Sequence, residues 1–152
     1  MIQINIGRKK IDHNYGKIHR GVIYSLATTS DNRYLFTSDS EGILKQWNID
    51  TRKLVKNYQK IHKGTIFSIF TTNDSKYLFT SDSQGNLKQF DIESQKLLKD
   101  KPEVHLTAIY SIITTNNSKF LYTSDNSGQV KQFKVEDFEL VKDYGQIHEG
   151  AI

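Results

Sequence analysis

No cysteine occurs among the 152 residues, which excludes disulfides, thiolate zinc sites, iron–sulfur ligation and a cysteine nucleophile. Residues Met1 to Asn14 contain neither the apolar core of a signal peptide nor a run long enough to span a membrane. These absences predict a soluble, intracellular and most simply cytoplasmic protein with no membrane contact. Hydrophobic residues make up only 36%, yet 17 aromatics together with many Ile and Leu are too much core material for a disordered chain. Charge of one sign is also scarce in excess. The net value of +4 permits contact with an anionic surface without requiring it.

What the chain does contain is a repeat. His19, His62, His105 and His148 are each separated by 43 residues, and the register carries no insertion. Residues Tyr15–Asn57, Tyr58–Asp100 and Lys101–Asp143 form three complete copies, the first two agreeing at 25 of 43 positions. Tyr144–Ile152 restarts the pattern. Met1–Asn14 matches the end of a copy, with Gln3 on Gln46 and Ile6 on Ile49. The chain therefore reads as one array: 1–14 the end of a preceding repeat, 15–57, 58–100 and 101–143 full repeats, and 144–152 the start of a further one.

Each copy has β character. In the second, Thr65–Phe70 is a β-branched and aromatic run, apolar on both faces, as befits the innermost strand of a stack. Thr71–Lys76 carries Asn/Asp/Ser turn chemistry and predicts a tight hairpin into a second strand at Tyr77–Thr80. A second turn follows at Ser81–Gly85, where Gly42, Gly85 and Gly128 are expected to take positive φ. Leu87–Ile92 is the third strand and Lys96–Asp100 the fourth, whose lysines suit an outer edge. Four antiparallel strands, apolar inside and lysine-rich outside, describe a propeller blade and an all-β fold.

The copies resemble WD-repeat β-propellers over the whole chain. The resemblance is carried by the histidine ahead of the first strand, the turn-Gly-x-apolar-Lys-x-aromatic segment Gly42–Trp47, and the period near 40. The chain departs from that family at Ile18, Ile61 and Val104, where it favours Gly. The signature Trp-Asp becomes Trp47-Asn48, Phe90-Asp91 and Phe133-Lys134. Asp39, Asp82 and Asp125 stand two residues earlier than the family's turn aspartate, whose place is held by Glu41, Gln84 and Ser127. The resemblance implies a His, Ser/Thr, Asp and Trp hydrogen-bond tetrad in each blade. These departures predict that it is incomplete and altered, since Phe90 and Phe133 lack an indole donor.

Candidate chemistry distributes one group per blade. The four repeat histidines could hold a metal only if brought together, and successive blades rotate them apart, so each is expected to bond the following turn. His13 lies outside the register, on an expected outer strand. Asp39, Asp82 and Asp125, each in a Thr-Ser-Asp segment, are likewise too dispersed for paired acid–base work and suit turn capping. No P-loop, dinucleotide fingerprint or Ser-His-Asp arrangement accompanies them. No catalysis, cofactor or metal is expected. Gln3, Gln46, Gln89 and Gln132 place a polar group on the third strand between blades, either as a buried ladder fixing register or as a channel lining open to a ligand.

Two surfaces could bind partners. Charge declines along the chain, from +2 over residues 1–14 through +3, +1 and −1 in the repeats to −1 in the last nine. A nucleic-acid or anionic-surface site would centre on the basic first repeat, but the lysines are interleaved with acids and suit solvated edges. The loops entering strand one and those between strands two and three should share a face. There the copies differ on a constant frame: Arg20, Lys63 and Leu106; Glu41, Gln84 and Ser127; Ile43, Asn86 and Gln129. That face is the expected site for a protein partner, and the chain a non-catalytic scaffold.

The array also lacks closure. Propellers close with about 4 to 8 blades, and the 20 repeat positions between the end of the chain and its start are absent. Three complete blades with one or two partial ones would leave interblade faces wet, forfeiting on the order of 10 kcal/mol. The expectation is a segment of a longer propeller or an oligomerising ring, whose partners include further blades of the same or another chain.

Overall fold

β-Branched and aromatic runs separated by turn-forming clusters produce three consecutive four-stranded antiparallel sheets. The computed structural model describes residues 2–5 and 10–150, with side chains from residue 14 onward. A two-stranded sheet comes first, β1 (Ile2–Asn5) against β2 (Lys10–Asn14). The side chains of Gln3 and His13 lie outside the described residues. Blade one follows as β3 (Ile23–Thr28), β4 (Tyr34–Asp39), β5 (Ile43–Asn48) and β6 (Leu54–Lys60). Blade two is β7 (Ile66–Thr71), β8 (Tyr77–Asp82), β9 (Leu87–Asp91) and β10 (Leu97–Lys101). Blade three is β11 (Ile109–Thr114), β12 (Phe120–Asp125), β13 (Gln129–Lys134) and β14 (Leu140–Gln146). No helix occurs among the described residues, so none is long and apolar enough to cross a membrane.

The hairpin joining the first two strands of each blade is built by one local device. Thr29 Oγ1 donates to Asp31 Oδ1 at 2.6 Å and accepts Tyr34 N–H at 3.0 Å, while Asp31 Oδ1 also accepts Arg33 N–H. Thr72 with Asp74, and Thr115 with Asn117, repeat it. The left-handed residues these turns need are Asn32, Ser75 and Ser118. Every first strand carries a bulge after its first residue, between Ile23 and Ser25, Ile66 and Ser68, and Ile109 and Ser111.

The core lies between blades rather than within them. Phe36 and Leu44 of blade one meet Ile66, Ile69, Leu78, Phe90 and Ile92 of blade two. Phe79 and Leu87 of blade two meet Ile109, Ile112, Leu121, Phe133 and Val135 of blade three. Hydrogen bonds cross both junctions: Thr71 Oγ1 donates to Thr28 O at 2.7 Å, Ser25 Oγ accepts Ile69 N–H at 3.1 Å, and Ser81 Oγ donates to Ile109 O at 3.2 Å. Each blade is thus held by its neighbours, as expected when one repeat cannot bury its own apolar faces.

Candidate protein-interaction face

His19 is buried, and both ring nitrogens are used. Nδ1 stands 2.8 Å from Asp39 Oδ2 and Nε2 2.6 Å from Thr37 Oγ1. The neutral tautomer protonated at Nδ1 satisfies all three groups: the ring donates to the carboxylate and accepts the threonine hydroxyl. Thr37 Oγ1 in turn accepts the indole N–H of Trp47 at 3.1 Å. Burial pushes the His19 imidazole below its ordinary value, against the upward pull of Asp39.

This relay corrects the sequence expectation for blade one, where the tetrad is complete. Aspartate two residues early still closes it, because Asp39 ends β4 with its side chain under the turn. Oδ2 faces His19, while Oδ1 accepts the N–H groups of Glu41 and Ile43, both at 3.0 Å. Blade two keeps His62 between Asp82 (2.9 Å) and Thr80 (2.8 Å), but Phe90 supplies no donor. In blade three His105 Nε2 pairs with Thr123 at 2.8 Å. Its Nδ1 lies 3.1 Å from Asp125 Oδ2 without hydrogen-bond alignment. Thr107 Oγ1 and Ser127 Oγ occupy that carboxylate instead, and Phe133 again offers no N–H. His148 departs from the expected pattern: it is exposed, with no turn partner among the described residues.

The same turns fasten one blade to the next on this face. Gly42, Gly85 and Gly128 have φ of 81, 77 and 82°, and a Cβ on them would fall 2.2, 2.0 and 2.0 Å from the carbonyl oxygens of His62, His105 and His148. Gly42 O accepts Ile61 N–H at 2.9 Å and Gly128 O accepts Ile147 N–H at 2.9 Å. Loops entering strand one therefore lie directly on the neighbouring turn between strands two and three.

Gln46, Gln89 and Gln132 do not bond one another. Gln46 and Gln89 are buried and Gln132 is half-buried. Gln46 Oε1 accepts the Tyr58 hydroxyl at 2.9 Å and Gln132 Oε1 the Tyr144 hydroxyl at 3.1 Å. Gln89, whose repeat has Lys101 in place of tyrosine, donates from Nε2 to Val135 O of blade three at 3.0 Å. Standing on the third strand of each blade, they lie away from the inner strands. The tyrosine links were not read from the sequence, although the Tyr15, Tyr58, Lys101 and Tyr144 register contains them. Tyr15 meets Trp47 edge-on at 5.8 Å, and Tyr58 meets Phe90 at 5.5 Å. At the junction of blades two and three, buried Phe138 fills this role, stacking on Phe79 at 5.6 Å.

Among the variable positions, Arg20, Lys63, Leu106, Glu41 and Gln84 are exposed, Leu106 to 89%. Ile43, Asn86, Ser127 and Gln129 are only half-exposed. Asn86 is committed to Asp82 through Nδ2 and to Glu103 N–H through Oδ1, and Ser127 to Asp125. Among the described residues no three His, Asp or Glu side chains are grouped so as to hold a metal.

Comparison with known proteins places these blades. The family described as WD domain, G-beta repeat matches residues 13–48, which include the complete relay of His19, Thr37, Asp39 and Trp47. The two following copies repeat the matched segment at 43-residue intervals. The first blade thus matches the WD-repeat family model, and the chain is similar to WD-repeat propellers. Among solved structures it is similar to the computationally designed Ika4 protein, with TM-score 0.76 and 18% identity over 88% of this chain and 78% of that one. It is also similar to U3-55K (TM-score 0.81, 19% identity, 88% and 42% covered) and to the RRP9 WD40 repeats (TM-score 0.80, 19% identity, 88% and 41% covered). The chain thus spans about two fifths of those two WD-repeat chains. No curated protein matches. Among the described blades the full relay occurs in blade one, and blades two and three keep the four-stranded frame with phenylalanine in place of the indole donor.

Proposed function

We propose that the chain is a non-catalytic WD-repeat scaffold that binds a protein partner on the loop face. The observation that carries this reading is the contrast between fixed and varied side chains on that face. The relay histidine, threonine and aspartate and the turn glycine are the same in every full repeat and are buried. Arg20, Lys63 and Leu106, one residue beyond each relay histidine, change from basic to apolar and are all exposed. A rigid frame with differing exposed side chains is how repeat proteins acquire specific partners. The partners proposed are proteins, or further blades of the same or another chain, in an intracellular setting. Catalysis finds no support in the frame, since the buried carboxylates are spent on histidines and turn N–H groups.

Nucleic-acid binding is the weaker alternative. The cations of blade one are partly neutralised, as Arg33 is paired with Asp31 at 2.7 Å and Glu93 at 3.2 Å, and no basic stripe with stacking aromatics results among the described residues. Affinity capture from native lysate tests the reading. A single stoichiometric protein partner, retained after nuclease treatment and lost in the Arg20→Glu, Leu106→Asp double variant, is the expected result. Nuclease-sensitive recovery, or a partner indifferent to both substitutions, overturns it.

A further inference from the structure

One backbone device recurs at or near the end of the fourth strands of the described blades, and the chain's single proline breaks it. Asn14 Oδ1 accepts Gly16 N–H at 2.8 Å, Asn57 Oδ1 accepts Gln59 N–H at 3.0 Å, and Asp143 Oδ1 accepts Gly145 N–H at 2.8 Å. Gly16, Gln59 and Gly145 all have φ between 62 and 67°. The remaining copy of that position is Pro102, which has no N–H to donate and cannot take positive φ. The left-handed residue moves on to Glu103, at φ 52°, whose N–H goes to Asn86 Oδ1 at 3.1 Å.

The loss of that N–H propagates inward. Asp100, the carboxylate that would have accepted it, hydrogen-bonds the ammonium of Lys88, whereas the equivalent Lys131 stands off Asp143 at 3.5 Å. In the flanking blades the lysine at this repeat position caps a carbonyl of the loop entering its blade: Lys45 on Ile18 O, and Lys131 on Val104 O at 2.8 Å. The equivalent carbonyl of blade two, Ile61 O, has no donor among the described residues. A cleft of about 360 Å³ opens there, lined by Ile61, Lys63, Asp100, Pro102 and Glu103 among others.

We propose that this cleft receives the ammonium or guanidinium group of a basic side chain carried by a partner peptide. The incoming cation takes at Ile61 O the place that an internal lysine fills in the two flanking blades. The Glu103 carboxylate, without an ion-pair partner among the described residues, and the outer oxygen of Asp100 supply further acceptors. Asp82 is already spent on His62, and Lys88 is neutralised by Asp100. Lys63 is exposed, and its flexible stem carries its charge out to solvent. The proposal rests on the scaffold reading and specifies the chemistry of one contact on its loop face.

The test is an amide-resolved NMR titration of the full chain with acetyl-Ala-Arg-Ala-amide, with acetyl-Ala-Gln-Ala-amide as control. Saturable shifts confined to residues 61–63, 86–88 and 100–103 are expected for the arginine peptide and none for the glutamine peptide. Pro102→Gly, which restores the residue found at positions 16 and 145, is expected to return Lys88 to Ile61 O and weaken binding at least tenfold. Glu103→Gln, which leaves the backbone untouched, should weaken it severalfold and decides the matter should Pro102→Gly not fold. Absent shifts, shifts scattered over surface carboxylates, or equal binding by both variants would overturn the proposal. Capture of a partner lost in the Arg20→Glu, Leu106→Asp variant, together with an inert arginine peptide, overturns the cleft alone. The converse result overturns the reading of the wider face.

Discussion

Trp47 donates its indole N–H to Thr37 Oγ1 across 3.1 Å, and that bond separates blade one from the two blades that follow. Trp47→Phe leaves an aromatic ring of the kind present at Phe90 and Phe133 and removes the donor together with a small part of the indole's contacts. The expected cost is about 1 kcal/mol, the net value of a buried hydrogen bond. Urea unfolding followed by circular dichroism measures it, since the variant has no tryptophan left to report. A loss above about 3 kcal/mol would mean that the ring rather than its N–H holds the blade.

The buried histidines make stability depend on pH. Burial holds His19 and His105 below the ordinary value of 6.5, against the opposing pull of Asp39 and Asp125. As pH falls through 6.5 the unfolded chain binds protons that the folded chain refuses, so their contribution is complete above that value and is lost below it. Asp82 and Asp125 extend the loss. Burial alone would raise them, but hydrogen bonds from His62 and Asn86, and from Gln129, Ser127 and Thr107, hold them below 3.8. Their share is lost as pH falls below about 4. The denaturant midpoint should therefore be lower at pH 5 than at pH 7.5; an unchanged or higher midpoint at pH 5 contradicts the relay.

Gly85 and Gly145 share positive φ but not surroundings. A Cβ on Gly85 would lie 2.0 Å from His105 O, whereas one on Gly145 meets nothing within 4 Å. Gly145→Ala is expected to cost about 1 kcal/mol from left-handed strain alone. Gly85→Ala must also push the loop of the next blade away and should cost more than about 2 kcal/mol. Equal midpoints for the two variants in thermal unfolding would show that the glycine staples do not join the blades.

The blade was legible because its signals are local and repeated: β-branched and aromatic runs, Asn/Asp turn clusters and a glycine at fixed spacing. Repeat two was expected to begin its strands at residues 65, 77, 87 and 96, and they begin at 66, 77, 87 and 97. The relay was legible only in its components. Judging Asp39 by its distance from Gly42 suggested a broken tetrad, whereas what matters is the direction of its carboxylate beneath a tight turn. Nor did spacing reveal that Tyr58 would bond Gln46 or that Phe138 would enter the core, because those contacts depend on how neighbouring blades stack. Pro102 acts through the absence of a single N–H, visible only once the partner of every other copy is known.

The outward interblade faces of blades one and three carry apolar side chains that are exposed or half-exposed in this structure. Leu26 is 53% exposed, whereas its repeat equivalents Ile69 and Ile112 are 4% and 2% exposed behind a neighbouring blade. At the other end Tyr122 and Val130 are half-exposed where Phe79 and Leu87 are sealed. Burying one such side chain is worth about 1.5 to 3 kcal/mol, so an array this size gains a large part of a domain's stability by covering both faces. Sedimentation equilibrium of the 152-residue chain across a range of concentrations measures this most directly. Assemblies above 17.6 kDa, or a chain that unfolds without cooperativity when alone, are expected. A 17.6 kDa monomer that stays folded and unfolds cooperatively at every concentration would contradict this expectation.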